Sequence, residues 1–558
     1  MASLRSCVVA ATCIVSFLSL SCGGGSSRPG GPSSSWVAPA LLGHVPADSP
    51  YLFASLEPAN DKIRQRMFAG YQQQATELMR KFERARDVDR ATLEPWMRAV
   101  FAIGDELRGK DPSTWAETFG FDSKARFAIY GLSIWPVARV EVANPARLRA
   151  LIDRALSAGG VQLKQQTLEG HAYWVAGSER FSLVAAVLEH EAVVAVLPTP
   201  ALPTSLPLVL GIKKPADSLA TAATVPDLLG RHHLLGFVLG YVDARKALDI
   251  VTRQTPSELD APLHALTGPI SPVCRTDLER LVALAPRLVS GYRRLDEAGF
   301  DVVGLVETPA SVARGLSELR ASVPEVTAKS AGNPLFAFGS AVRPEALIAW
   351  LRGVTTELHD HPFACPWLAA LNKAGAELAG NLASPLPPEM QGLRGVAVVV
   401  DQATIIPPGV DGHVIVAGDH VPALLTMLAG KLPGLGAIAI KPDGQPVALP
   451  TQQLGIPLPS AHIAMTSDRL VIAAGTDSAK RATAHVATPA PPSSPLFMMA
   501  VDMPRLQKLL SSLGRAELDQ FNYLGNVGMT FDIADDGIGF DVWGTWGAPQ
   551  PAQPMTQP

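Results

Sequence analysis

The chain is expected to fold as an α+β protein in two duplicated halves, each of meandering antiparallel strands with helices packed on one face. Two observations predict this. Apolar strand-like runs alternate with amphipathic helical stretches along the mature chain, and several strands come as hairpin pairs, which favours antiparallel sheets. The order of these segments also recurs in the second half.

The first strand is Tyr51-Leu52-Phe53-Ala54-Ser55-Leu56, leading through Glu57-Pro58 into a long helix in which Ile63, Met67 and Tyr71 recur at intervals of four, as one helix face requires. Residues 137–142 form a later strand, followed by Asn144-Pro145. Asn is a good N-cap, and Pro fits the first helical position because its missing N–H costs nothing there. Leu148, Leu151, Ile152 and Leu156 then make one apolar stripe. Similar strand-to-helix joins lie at 236–248, 335–351, 413–428 and 496–510.

These segments pair across the halves in a constant order. Pro50-Tyr51-Leu52-Phe53-Ala54 matches Pro334-Leu335-Phe336-Ala337-Phe338, and a hairpin of 126–130 with Arg139-Val140-Glu141-Val142 matches 394–398 with His413-Val414-Ile415-Val416. The hairpin 183–197, turning at Glu189-His190-Glu191, matches 461–474, turning at Ser467-Asp468-Arg469. Gly240-Tyr241-Val242-Asp243 matches Met499-Ala500-Val501-Asp502, and 295–302 matches 533–542. The halves are placed at 45–325 and 330–546, joined through 321–333. A repeat of this size means two related domains, since solenoid units run to about 20–50 residues. A proline-dense loop is expected at 488–495 and a disordered Pro/Gln-rich tail at 547–558.

Composition bounds the function. Of 558 residues, 47% are hydrophobic and 18% charged, enough apolar material for a large core, and the net charge is −4. With no basic footprint, nucleic acid is not an expected partner. Residues 1–21 read as a signal peptide: Arg5 is followed by an apolar run, 8–20, too short to span a bilayer comfortably. The run ends in Leu18-Ser19-Leu20-Ser21-Cys22, which looks like a bacterial lipobox, although Ser19 stands where Leu is usual. Residues 22–44 would then be a lipidated (palmitate-bearing) Cys22 and a flexible Gly/Ser/Pro tether. Of the five cysteines, Cys7 and Cys13 leave with the signal peptide, and Cys274 and Cys365 remain to form a disulfide in an oxidising compartment. One in each half, they are expected to clamp the halves together.

Val45-Pro46-Ala47-Asp48-Ser49-Pro50-Tyr51-Leu52-Phe53-Ala54 resembles the opening of a family of uncharacterised exported bacterial lipoproteins, whose mature domain begins with a VPADTPYVFA-like phrase. Ser49 for Thr and Leu52 for Val are mild departures. Phe127-Ala128-Ile129-Tyr130-Gly131-Leu132 with Pro136-Val137-Ala138-Arg139-Val140-Glu141 is similar to that family's central hairpin. The resemblance implies export and anchoring but no activity, and it transfers no catalytic or binding residue.

Motifs for chemistry are weak. The chain has no Gly-x-Ser-x-Gly elbow, no Ser-x-x-Lys, no His-Glu-x-x-His and no Walker loop. His359 and His361, six and four residues before Cys365, are weak metal candidates, because a site there would need Cys365 as a free thiolate. Asp532 to Gly537 suits a hairpin turn better than a calcium loop, since Ala534 and Trp543 stand at ligand positions. His232-His233 is read as opening a strand, its two rings on opposite faces. Trp543 and Trp546 are read as packing residues, and the 80–86 charge run as a solvated face. The expectation is thus a non-catalytic binding or scaffold protein. It would be anchored to the envelope, at the outer membrane since Gly23 is not Asp, with its domains in the periplasm or at the cell surface. No cofactor is expected, and the partner would be an envelope protein, lipid or peptidoglycan. The alternative is a periplasmic hydrolase whose site gathers Asp48, Asp243, His359, His361 and Asp502.

Overall fold

The computed structural model describes residues 38–547 apart from 59, 68–78, 80–92, 112–113, 162, 330–331, 406–407, 432–435, 437, 452–459, 515–520 and 522. The signal peptide, Cys22, most of the tether, Tyr71, the 80–86 charge run and residues 548–558 lie outside them. The fold is α+β and its strands pair antiparallel. The chain forms two compact units: Met1–Ser271 with Pro286–Val302, and Pro272–Ala285 with Val303–Pro558.

The first unit holds strands β1 (Tyr51–Ser55), β2 (Phe127–Leu132), β3 (Trp135–Glu141), β4 (Lys164–Leu168), β5 (His171–Gly177), β6 (Phe181–Val187), β7 (Glu191–Pro198), β8 (Val238–Asp243) and β9 (Arg287–Leu295). Their order across the sheet is β4-β5-β6-β7-β3-β2-β1-β8-β9. β10 (Gly299–Glu307) carries the chain from the first unit into the second.

The second unit contains β11 (Phe336–Ser340), β12 (Leu393–Thr404), β13 (Gly409–Gly418), β14 (Val447–Ala448), β15 (Ala461–Met465), β16 (Arg469–Ala474), β17 (Phe497–Asp502), β18 (Leu524–Ala534) and β19 (Gly537–Trp546). Their order is β14-β15-β16-β13-β12-β11-β17-β18-β19.

Side chains directly opposite one another on paired strands share a face, so each sheet carries transverse rows. One row of the first unit runs Val184, Ala195, Val137, Tyr130, Leu52, Tyr241, Val289. All of these are buried. A row of the second unit runs His462, Ala473, His413, Val399, Ala337, Ala500, Gly528. Its third place holds a buried histidine, and the first unit's third place holds Val137.

Local rules explain the helix starts. Asn144 Oδ1 accepts the Arg147 N–H at 3.0 Å, Pro145 takes the first helical position, and Leu148 and Leu151 are buried on the helix Pro145–Gly159. Asp243 caps the helix Ala244–Thr252, and Asp502 caps Met503–Ser511. His232 and His233 do not open a strand. They end the helix Thr224–Arg231, with His233 at φ +54°, and β8 begins only at Val238. The turn between β18 and β19 at Asp535-Asp536 is a tight hairpin, as expected.

Cys274 and Cys365 form a disulfide. The expectation that it clamps the two halves is corrected: Cys274 sits on the helix Pro272–Leu284, and both cysteines belong to the second unit. Among the described residues no helix is long and apolar enough to cross a membrane.

Gly120, at φ +79°, accepts the N–H groups of Ala143 and Asn144 and so seats the capped helix. A Cβ there would lie 2.4 Å from the Asn144 carbonyl oxygen. Gly120→Ala therefore combines a left-handed backbone with a backbone clash. It is expected to lower stability by roughly 1–3 kcal/mol, read as a shift in the urea midpoint at unchanged slope.

Candidate functional site

In the second unit three side chains distant in sequence converge: Glu325, His413 and His485. Glu325 stands on the segment before β11. Its neighbours Val323 and Val326 have no exposed surface, and Ser494 Oγ binds both the N–H (3.1 Å) and the carbonyl (3.2 Å) of Val323. Val326 N–H closes a turn onto the Val323 carbonyl across Pro324 and Glu325, and Glu325 takes φ +67° within it. A left-handed conformation at a non-glycine residue costs about 1–3 kcal/mol and persists only where the surroundings impose it.

His413 lies on β13, on the same face as Ile415 and Ala417, which are buried in the unit's core. His485 occupies the last turn of the helix Ser478–Ala487, whose Ala482 and Val486 pack into that core. The His413 side chain is 3% exposed, whereas Glu325 and His485 reach the surface at 19% and 27%.

His413 Nε2 is 2.6 Å from Glu325 Oε2. His485 Nδ1 contacts Oε1, without the alignment of a hydrogen bond. The two imidazoles stack with centroids 3.7 Å apart and planes 18° from parallel. Burial alone would raise the Glu325 carboxyl; contact with His413 and His485 outweighs it and holds the pKa at about 2. The buried His413 Nδ1 has no hydrogen-bond partner. Two imidazole nitrogens and a carboxylate are a donor set that could hold a divalent transition-metal ion.

The first unit has its own buried charge at a different place. Arg139, two residues beyond Val137 on β3, has no exposed side-chain surface. It binds Glu191 at 2.5 Å, donates to the Val209 and Leu208 carbonyls at 2.6 and 3.0 Å, and reaches the Tyr130 hydroxyl at 3.2 Å. Those carbonyls end the helix Leu202–Val209, where the helix dipole favours a cation. His44 Nε2 lies 3.8 Å from Glu191, and burial, with Arg139 and Lys214 adding to it, lowers the His44 pKa to about 4.

The residues considered for catalysis do not assemble. Asp243 and Asp502 are helix caps, and Asp243 also pairs with Arg287 at 3.0 Å. Asp48, His359 and His361 are exposed. His359 and His361 stand at the end of the helix Pro344–Asp360, and the thiolate that a metal site there required is absent because Cys365 is bonded to Cys274. An open cleft of about 360 Å³ in the second unit is lined by Arg320, Arg343 and Arg394. Asp532, the Glu318 carbonyl and Asp419 respectively already hold these arginines.

Sequence reading passed over the trio because its members come from a loop, a strand and a helix. One signal was present: His413 alternates in phase with Ile415 and Ala417, which places an imidazole on the core face. No family model matches the chain, and no curated protein or solved structure matches it.

Removing one partner of a buried ion pair strands the other. Arg139→Met is expected to lose roughly 3–5 kcal/mol, and adding Glu191→Leu should recover most of it, both read by urea denaturation. His44 sets a pH window. Its folded pKa lies below the ordinary 6.5, so between pH 6.5 and about 4 the unfolded chain binds a proton that the folded one refuses. Stability falls as pH drops through that window, and His44→Gln should flatten the fall.

Proposed function

We propose that the protein is an exported envelope lipoprotein, anchored through Cys22 and acting as a non-catalytic binding or scaffold protein. The buried Cys274–Cys365 bridge carries this reading. Disulfides persist in oxidising compartments and are rare in a reducing cytosol. Closing 91 residues, the bridge would stabilise the unit by about 4–5 kcal/mol in the chain-entropy model. The lipobox-like Leu18-Ser19-Leu20-Ser21-Cys22 and the Gly/Ser tether supply the anchor, and Gly23 directs it to the outer membrane. The resemblance of 45–54 to exported lipoproteins points the same way. Catalysis by Asp48, Asp243, His359, His361 and Asp502 is disfavoured, because they are caps or exposed single groups. The partner is then an envelope protein, lipid or peptidoglycan.

We also read the chain as an internal duplication of 45–325 and 330–546. The support is that β4-β5-β6-β7-β3-β2-β1-β8-β9 and β14-β15-β16-β13-β12-β11-β17-β18-β19 trace comparable paths. The residue matches shift in detail. Asp243 donates its N–H to Pro50, and Asp502 donates its own to Leu335, which aligns Pro50 with Leu335 in place of Pro334. Likewise the rows align His413 with Val137, two residues before Arg139.

The anchor is tested on the N-terminal peptide of protein taken from membranes. Mass spectrometry should find an acylated Cys22 as the first residue, and Cys22→Ala should leave the precursor uncleaved. An unmodified Met1 terminus on the wild-type chain would refute the proposal.

A further inference from the structure

We propose that Glu325, His413 and His485 form a binding site for a divalent transition-metal ion of the imidazole-preferring class, for which zinc is the probe. The three ligand atoms all lie within 4.8 Å of one another, a span one ion can bridge. The donor set is two neutral imidazoles and a carboxylate, which suits zinc and its neighbours and leaves a fourth position open. That position faces solvent, since Glu325 and His485 are the partly exposed members of the set.

Two features support a ligand here. A 95%-buried histidine with an unpaired ring nitrogen stands at a row position where the first unit places Val137, so the fold does not call for an imidazole there. Buried polar atoms left without partners mark strained or catalytic sites, or an ion or water that completes them. The site also sits at the C-terminal end of the helix Ser478–Ala487, where the helix dipole favours positive charge. Arg481, the nearest cation on that helix, turns away to the Gly412 and Ala474 carbonyls and to Asp401 at 3.6 Å, leaving the carboxylate to the two histidines.

The test uses the full chain in detergent, purified with a tag that contains no histidine and stripped with a chelator. Zinc titrated against a chromophoric competitor should bind at one equivalent, and cobalt in its place should give visible d–d bands of nitrogen and oxygen ligation. His485→Ala and Glu325→Gln should each weaken zinc binding roughly 100-fold or more, because loss of an outer-shell partner alone costs about 10–100-fold. His413→Val should do the same while keeping the sheet, since Val137 fills the corresponding row position. The partly exposed His485 carries the test by itself if the buried variant does not fold. His359→Ala with His361→Ala should leave binding unchanged. Failure of the wild-type chain to bind zinc, or binding that survives substitution of the trio, overturns the proposal.

Discussion

Each sheet is governed by the alignment that antiparallel hydrogen bonding forces on its side chains. Once β1 pairs with β2 and β8, the residues opposite Leu52 are fixed, and every further strand extends the same row. A row that faces the core must be apolar or must satisfy any polar group within it. The first unit fills its row with aliphatic and aromatic residues and places its buried guanidinium one row over, tied to Glu191 and a helix end. The second unit admits an imidazole into the row itself and meets it with a carboxylate and a second ring. Both devices sit at the end of a helix, one an arginine held by a carboxylate and two carbonyls, the other two imidazoles facing a carboxylate.

Much of the fold was legible because it rests on local chemistry. Asn144-Pro145 announced a helix start, Glu189-His190 and Ser467-Asp468 announced hairpins, and Asp243 and Asp502 each marked a strand-to-helix corner. Register was legible only approximately. Pro50 and Pro334 look alike in sequence, yet it is the Pro50 carbonyl that accepts the Asp243 N–H and the Leu335 carbonyl that accepts the Asp502 N–H. The misplaced His232-His233 shows the same limit: a left-handed turn at His233 ends a helix where apolar content suggested a strand.

The site was less legible than the fold. Glu325 and His413 are 88 residues apart and meet only through sheet order, which no local pattern encodes. The cysteine pair could be anticipated by counting, but its placement could not. Helix Pro272–Leu284 departs from its sequence neighbours and joins the later part of the chain, a choice made by packing around Asp277, whose carboxylate accepts the Cys365 N–H at 2.8 Å.

That departure makes the two units interleaved along the polypeptide. Residues 272–285 of the later unit are synthesised before β9 completes the earlier one, so no single cleavage of the backbone can release either unit whole. During synthesis Cys274 emerges well ahead of Cys365, and their bond can form only once the later segment follows. Truncations aimed at isolating one unit must therefore transplant the helix along with the segment it serves.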